Sequence, residues 1–255
     1  MSIQLIDTHC HLDFEVFDGW RERLLADARS DNVTRFVVPG VTADDWPRLL
    51  ATCDAKGLYP ALGMHPCFLD QHKASQLEQL KLLLSLNPVV AVGEIGLDFF
   101  VPNLDQEKQI ELFTRQLEIA KEFQLPVLLH VRKAHDQVLK LLRQLKLARG
   151  GIVHAYSGSE QQAEHYIELG FKLGIGGSLT YDRAKKLRRI VMNLPLDAFV
   201  LETDAPDIPL AGYRGEPNQP KRLREVAEVF AELRGISLEE LAQCTSATAR
   251  KLLRL

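Results

Sequence analysis

The sequence predicts an α/β fold in which eight parallel strands alternate with helices, the pattern of a (β/α)8 barrel. Short apolar runs alternate with longer amphipathic segments along all 255 residues, which indicates a parallel sheet covered by helices. The runs are almost continuously apolar, as in 89–92 (Val-Val-Ala-Val) and 127–129 (Val-Leu-Leu), which suits strands buried on both faces. Eight such units in about 250 residues match the size of a (β/α)8 barrel.

Each strand-like run is followed by a helical pattern. The runs cover 5–6, 36–38, 59–62, 89–92, 127–129, 152–153, 171–175 and 199–201. The helical patterns cover 21–29, 44–55, 74–86, 105–123, 134–147, 160–169, 184–192, 221–233 and 238–253. A doubly wound open sheet is the rival architecture, but no Gly-x-Gly-x-x-Gly turn opens any helix, which favours the barrel. No linker or change of composition divides the chain, so we expect one domain over residues 1–255.

The composition is that of an ordinary globular protein. Hydrophobic residues make up 46% of the chain and charged residues 25%, with a formal net charge of -3. A chain without a global basic field does not bind duplex nucleic acid tightly and non-specifically, although a local contact remains open. No apolar run reaches the roughly 18 residues of a membrane span, so we expect no membrane partner. No obligate protein partner is evident.

The four cysteines predict a reducing compartment. They are scattered without Cys-x-x-Cys spacing, and the chain begins without a signal-peptide pattern. We therefore expect reduced thiols in a cytoplasmic protein. Cys10 lies between two histidines and would point to the opposite face of its strand, which predicts a core thiol.

Residues that bind metals follow most of the strand-like runs. The C-terminal ends of the strands, with the loops after them, form the active-site face of a barrel. Such residues stand there after six runs: His9 and His11 after the first, His65 after the third, Glu94 after the fourth, His130 after the fifth, His154 after the sixth and Asp204 after the eighth. The three remaining histidines, His72, His135 and His165, are expected on the surface.

Each residue also has a structural interpretation. His9 and His11 would present both imidazoles to one face of a strand, where they could bind one divalent ion or be half-buried structural histidines. Taken singly, His130 and His154 fit core histidines better than ligands. Asp204 could equally cap a turn.

Glu94 is harder to explain as a structural residue, because a carboxylate inside an apolar strand is costly unless it is paired or bound to metal. Four histidines and two carboxylates that converge on one rim suit two divalent ions better than one, since a single tetrahedral site needs only three or four protein groups. Glu94 is the best bridging candidate, because it has two oxygens and lies between the two histidine pairs. Asp204 could bind metal and take a proton from water. We therefore expect Glu94 and Asp204 to be catalytic.

Support for a phosphate substrate is modest. Arg132 could bind an anionic oxygen or form a structural ion pair. Basic residues cluster after the last two runs, at Arg183, Lys185, Lys186, Arg188 and Arg189 and at Lys221, Arg222 and Arg224. They could guide a polyanion, although solvated helix faces are commoner. Aromatic residues that could stack on bases are few, namely Phe99, Phe100, Tyr156, Tyr181 and Tyr213.

Six motifs together resemble the TatD family of metal-dependent deoxyribonucleases, within the amidohydrolase superfamily. They lie at 7–12, 63–66, 93–98, 130–134, 154–158 and 202–206, in the family's order and over nearly the whole chain. The sequence looks similar to the branch of uncharacterised metal-dependent hydrolases. The resemblance implies a TIM barrel with a binuclear centre, in which one ion is held by His9, His11 and Asp204, the other by His130 and His154, and Glu94 bridges them.

The resemblance also implies phosphodiester hydrolysis, from the 3′ end of single-stranded DNA in the characterised members. Two departures concern substrate rather than metal. Members often carry a second histidine after the Gly-x-His-Pro motif, where this chain has Cys67. After the last strand they often show Arg-Asn-x-Pro, where residues 216–220 read Glu-Pro-Asn-Gln-Pro. We expect these positions, together with His65 and Arg132, to contact substrate.

Three hypotheses remain open. The first is a deoxyribonuclease or other phosphoesterase that acts on DNA ends or on a small phosphoester. The second is an amidohydrolase-type enzyme for a small amide, lactone or phosphoester. The third, a non-catalytic metal-binding protein, is disfavoured because a water-activating pair has no use in a closed structural site. The two divalent cations could be zinc, manganese, magnesium, nickel or iron, since imidazole and carboxylate bind them all.

Overall fold

Eight parallel strands form one sheet, and strands that are neighbours in the sequence are neighbours in the sheet. The computed structural model describes residues 3–255. The strands are β1 (Leu5–Asp7), β2 (Val33–Pro39), β3 (Leu58–Leu62), β4 (Ala91–Asp98), β5 (Val127–Arg132), β6 (Gly151–Val153), β7 (Phe171–Ile175) and β8 (Phe199–Leu201). Between β8 and β1, the amide and the hydroxyl group of Thr8 both donate to the Leu201 carbonyl at 3.0 Å. The sheet therefore forms a (β/α)8 TIM barrel, which confirms the predicted fold.

A helix follows every strand, and a ninth ends the chain. The helices are α1 (Arg21–Ser30), α2 (Trp46–Thr52), α3 (Ser75–Leu86), α4 (Gln106–Glu122), α5 (His135–Leu145), α6 (Glu160–Glu168), α7 (Lys185–Asn193), α8 (Leu223–Arg234) and α9 (Leu238–Leu253). Local chemistry sets several ends. Asp105 accepts hydrogen bonds from two amides in the first turn of α4, and α8 ends at Gly235, whose φ is 65°. Within residues 3–255, none of the helices has the length and apolar character needed to cross a bilayer.

An inner layer of apolar side chains fills one end of the barrel. It consists of Ile6, Val37, Ala61, Ala91, Leu128, Ile152 and Val200, against which Ala249 and Leu253 of α9 pack. Because side chains two residues apart in a strand share a face, His130 and His154 stand on the same side as Leu128 and Ile152. The closed end therefore forms a floor, above which the polar residues gather.

Strand β4 is longer than the sequence predicts. The apolar run ends at residue 92, but the strand continues to Asp98, so Glu94 lies inside the strand and Asp98 ends it. Two glycines and a glutamate interrupt the apolar pattern, which conceals this half of the strand. At Gly96, whose φ is 152°, a Cβ atom would collide with the His130 carbonyl, so only glycine allows β4 to lie this close to β5.

Candidate metal centre

Glu94 lies at the centre of the predicted cluster and faces imidazoles in two directions. Its Oε2 atom is 3.1 Å from Nε2 of His9 and 3.7 Å from Nε2 of His11. Its Oε1 atom is 3.2 Å from Nδ1 of His130 and 3.4 Å from Nε2 of His65. The side chain is 3% exposed. The buried Glu94 carboxylate thus lies between two pairs of imidazoles, and each of its oxygens contacts one pair.

Asp204 gathers a second set of ligand atoms. Its Oδ1 atom is 3.6 Å from Nε2 of both His9 and His11, and 3.5 Å from Nε2 of His154. Ligand atoms of His9, His11 and Asp204 all lie within 4.8 Å of one another, a spacing that could hold one ion. His154 therefore lies nearer to Asp204, whereas His130 and His65 lie on the side of Glu94 Oε1.

The chemistry of the donors fits divalent cations. The Glu94 and Asp204 carboxylates are buried, and along residues 3–255 their ion-pair partners are imidazoles alone, with no lysine or arginine among them. Buried carboxylates require a compensating charge, and a metal ion supplies it. Imidazole nitrogen and carboxylate oxygen together suit several divalent transition metals.

Without metal, these side chains hold protons among themselves. Burial lowers the pKa of His154, but the Glu202 and Asp204 carboxylates outweigh it and keep that pKa well above its usual value. At His11, burial is likewise outweighed by Asp204, and the pKa is raised to about 9. Burial raises the pKa of Glu94, but the His65 and His9 imidazoles outweigh it and hold that pKa well below its usual value. A cation entering this site would displace protons from the imidazoles.

Three of the histidines are also held at the ring nitrogen that faces away from the cluster. Asp98 Oδ2 is 2.9 Å from Nε2 of His130, and Glu202 Oε1 is 2.9 Å from Nδ1 of His154. The Pro39 carbonyl is 3.2 Å from Nδ1 of His11. Contacts of this kind fix the orientation of the ring and the nitrogen that remains free for metal.

Sequence reasoning did not assign Asp98 and Glu202 to the site. Both are about 1% exposed, and both belong to motifs that also carry a predicted ligand. Each stands an even number of residues from that ligand, four from Glu94 and two from Asp204. A second carboxylate in the same motif, an even number of residues from the predicted ligand, is the signal that could have revealed them.

A cavity of about 610 Å³ opens onto the cluster. Its walls include Phe14, stacked on His11 at 4.6 Å between ring centroids, and Phe68, packed edge-on against His65. Cavities of this size accommodate small organic ligands. The walls combine ligand-type residues with two aromatic rings, so a substrate here would meet both.

The predicted substrate residues are distributed unevenly around this cavity. Arg132 lines it, with its guanidinium carbon 3.8 Å from the centre of the Phe100 ring and no acidic partner within ion-pair distance in the described chain. Cys67 also lines it, with Sγ 3.6 Å from Asp98 Oδ2. Asn218, by contrast, is fully buried and donates to the Thr203 carbonyl at 2.8 Å. Asn218 therefore holds the backbone of the segment directly after β8, contrary to the expectation that it contacts substrate.

Two further expectations prove wrong. His135, expected on the surface, is 8% exposed and packs between the rings of Tyr156 and Tyr166. Arg222, placed with the basic residues that could guide a polyanion, is 3% exposed. It donates to the Pro217 carbonyl and pairs with Glu216. In both cases, tertiary packing covers a polar side chain that the helical pattern places outside.

Comparisons with known proteins agree with the geometry. The TatD related DNase family matches residues 6–254. The uncharacterized metal-dependent hydrolase YjjV of Escherichia coli (strain K12) is 46% identical over 246 residues, which cover 95% of each chain. The 3'-5' ssDNA/RNA exonuclease TatD of Erwinia billingiae (strain Eb661) is 32% identical over 259 residues, which cover 98% of this chain and 99% of that relative.

A solved structure gives the same answer. The crystal structure of YjjV from Escherichia coli K12 superimposes on this chain with a TM-score of 0.97 at 44% identity, and it covers 100% of both chains. Family, fold and site chemistry therefore coincide: the chain belongs to the TatD related DNase family and is a metal-dependent hydrolase.

Proposed function

We propose that this hydrolase holds two divalent cations and cleaves phosphodiester bonds at the ends of single-stranded DNA. The observation that carries the proposal is the position of Glu94, whose two oxygens face separate imidazole pairs. A carboxylate so placed suits a bridging ligand between two ions. The Erwinia relative is named a 3'-5' ssDNA/RNA exonuclease, which supports nucleic acid as the substrate class.

The proposed ligand sets are those that the resemblance to the family implies. His9, His11 and Asp204, whose ligand atoms lie within 4.8 Å of one another, would hold one cation. His130 and His154 would hold the other, with Glu94 between the two cations and Nε2 of His154 facing Asp204. His65 is a further candidate on the second side, because its Nε2 atom is almost as close to Glu94 Oε1 as His130 is. When bound, the two cations would supply Lewis acidity and lower the pKa of a water molecule in the cavity.

The side chains of this chain would then perform three tasks. Asp204 would accept a proton from the attacking water, because its carboxylate lies at the cluster and the neighbouring histidines, which outweigh burial, hold its pKa below the usual value and so keep it ionised. Arg132 binds a non-bridging phosphate oxygen from the rim. Phe14 and Phe68 line the space beside the reacting phosphate and limit the access of bulk water.

Substitution of Asp204 tests the catalytic role. With an end-labelled single strand and defined divalent metals, we expect the wild-type protein to release nucleotides and Asp204→Asn to lose about 100-fold or more of that rate. Asp54→Asn is the matched control, because Asp54 is exposed and lies outside the cavity. Retention of full activity by Asp204→Asn would refute the assignment.

Elemental analysis tests the two-cation proposal independently of the substrate. After reconstitution with zinc or manganese we expect about two ions per chain, and one or fewer would rule out the binuclear centre. A panel of lactones and amides tests the substrate class. Turnover of these without cleavage of any phosphodiester would favour an amidohydrolase-type activity instead.

A further inference from the structure

An aromatic ring with two arginines lies just outside the cavity, on the side of β7 and β8. The guanidinium carbons of Arg183 and Arg214 are 5.1 Å and 5.5 Å from the centre of the Tyr181 ring. Both arginines are exposed, and the ring is half-buried. Arg183 follows β7 in the sequence and Arg214 follows β8, so two separate loops place their charges at one ring.

Short contacts join this cluster to the wall of the cavity. The Tyr181 hydroxyl donates to the Pro209 carbonyl at 2.9 Å, next to Ile208, which lines the cavity. The Ala211 amide donates to Thr180 Oγ1 at 2.8 Å. These hydrogen bonds hold the Tyr181 ring beside Pro209, which directly follows the cavity-lining Ile208 in the sequence.

The positive charge of the cluster is available to a ligand. Across residues 3–255, Arg183, Lys186 and Arg214 have no carboxylate within 4.0 Å, whereas Arg188 and Arg189 of α7 pair with Asp182 and Glu160. The Lys186 ammonium instead donates to the carbonyl of Ser157 at 2.7 Å, and Ser157 also lines the cavity. In a chain with a net charge of -3, three unpaired cations beside one opening create a local attraction for anions.

We propose that Tyr181, Arg183, Lys186 and Arg214 form a binding surface for the part of a single strand that extends out of the cavity. The proposal rests on the proposed function and adds the direction in which the strand leaves. A half-buried ring with exposed guanidinium groups over it offers planar groups on which unpaired bases stack and charges that attract their phosphates. A duplex hides its base faces inside the stack, so the ring selects for single strands.

A second aromatic residue on the rim of the cavity could also bind the outgoing part of the strand. The exposed ring of Phe100 stacks with Arg132 on the opposite part of the rim, after β4 and β5. This pair brings one cation, and Arg132 is already assigned to the reacting phosphate. The Tyr181 cluster brings three cations, from the loops after β7 and β8 and from the first turn of α7, and carries no task in the cavity, which makes it the better support for the distal strand.

The test compares substrates of different length. With oligothymidine of about 12 nucleotides, we expect Tyr181→Ala to raise KM roughly 5- to 150-fold with kcat unchanged. We expect Arg183→Ala/Arg214→Ala to raise KM and to reduce the slope of log KM against log salt by about 1.4. A small diester, bis(p-nitrophenyl) phosphate, should be cleaved at wild-type rates by both variants, because it does not reach the surface.

Two controls keep the result specific. Tyr181→Phe retains the ring but loses the hydrogen bond to Pro209, so its KM should lie closer to that of the wild-type protein than to that of Tyr181→Ala. Lys140→Ala/Arg143→Ala removes the same charge from exposed positions on α5 and should leave the long strand unaffected.

The outcomes separate this proposal from the proposed function. The Tyr181 and arginine variants could cleave the small diester and also keep the wild-type KM for the long strand. This result would overturn the binding surface alone. The binding surface would also be overturned if these variants lost equal activity on the small diester and on the long strand. It would likewise be overturned if Phe100→Ala, and not the Tyr181 and arginine variants, raised the KM for the long strand. Failure of the wild-type protein to cleave any phosphodiester would overturn the proposed function itself.

Discussion

Replacement of Glu202 by glutamine isolates the charge that orients His154. Both contacts of the Glu202 side chain go to a single oxygen, since Oε1 accepts from the Ala155 amide at 2.6 Å and is 2.9 Å from Nδ1 of His154. Glutamine presents a carbonyl oxygen in that place and so retains both contacts. Oε2 accepts no hydrogen bond from the described residues and lies against Gly174. The substitution therefore removes a negative charge with little change of shape.

The expected effect is a weaker metal site in a folded protein. Loss of a carboxylate that holds a metal-binding histidine costs about 10- to 100-fold in metal affinity, which corresponds to about 1.4–2.7 kcal/mol. The Glu202 carboxylate is buried, so solvent does not screen this loss. Glu202→Ala should weaken the site further, because it also removes the acceptor of the Ala155 amide.

Competition with a chelator measures the zinc dissociation constant, and nitrogen NMR of the histidine ring measures the tautomer of His154. Glu202→Gln should shift both, whereas Glu164→Gln on the exposed side of α6 should shift neither. A wild-type dissociation constant in Glu202→Gln would show that geometry alone holds the ring and that the charge is dispensable.

Three further predictions follow from buried contacts. Burial lowers the pKa of His135 to about 4. Between pH 6.5 and 4, this imidazole therefore binds a proton in the unfolded chain and stays neutral in the folded chain. The contribution of His135 to stability should therefore fall by roughly 3 kcal/mol between pH 6.5 and 4. In urea melts, the stability of His135→Gln relative to the wild-type protein should rise by about this amount over the same range, and a constant difference would contradict the burial argument. Arg222→Met leaves the Pro217 carbonyl without its donor and should cost about 1–3 kcal/mol. It should also speed proteolysis within 204–220, and equal cleavage rates would count against that anchor. Gly96→Ala forces a Cβ atom onto the His130 carbonyl and should lower the unfolding free energy by at least about 1–3 kcal/mol, measured by chemical denaturation. Wild-type stability would mean that β4 and β5 can separate.

The sequence was sufficient for the barrel because each strand carries its own signal. Continuous apolar runs identify strands that are buried on both faces. The order of runs and helices leaves a barrel or a doubly wound open sheet, and the absence of a Gly-x-Gly-x-x-Gly turn favoured the barrel. The positions of His9, His11, Glu94, His130 and Asp204 followed from the same rule, since strand ends meet on one face of a barrel. These inferences needed no knowledge of side-chain packing.

Other features depend on packing and were out of reach. The role of Asp98 arises because its carboxylate reaches the far nitrogen of His130, and the strand had to extend beyond its apolar run for this contact to exist. The burial of His135 arises from Tyr156 and Tyr166, which come from another part of the chain. The meeting of Arg183 and Arg214 at Tyr181 likewise joins two loops that are distant in the sequence.

The close approach of β4 and β5 at Gly96 has a consequence for ion size. Glu94 and Asp98 belong to β4, and His130 belongs to β5, where it pairs directly with Gly96. Backbone pairing between adjacent strands, about 4.8 Å apart, therefore fixes His130 relative to Gly96, whereas Glu94 lies at the irregularity of the ladder between Val92 and Ile95. Asp204 instead follows β8 in a turn and has a positive φ of 59°. We therefore expect a cation of larger radius to be accommodated by displacement of the Glu94 and Asp204 side chains and not by separation of β4 from β5 at Gly96.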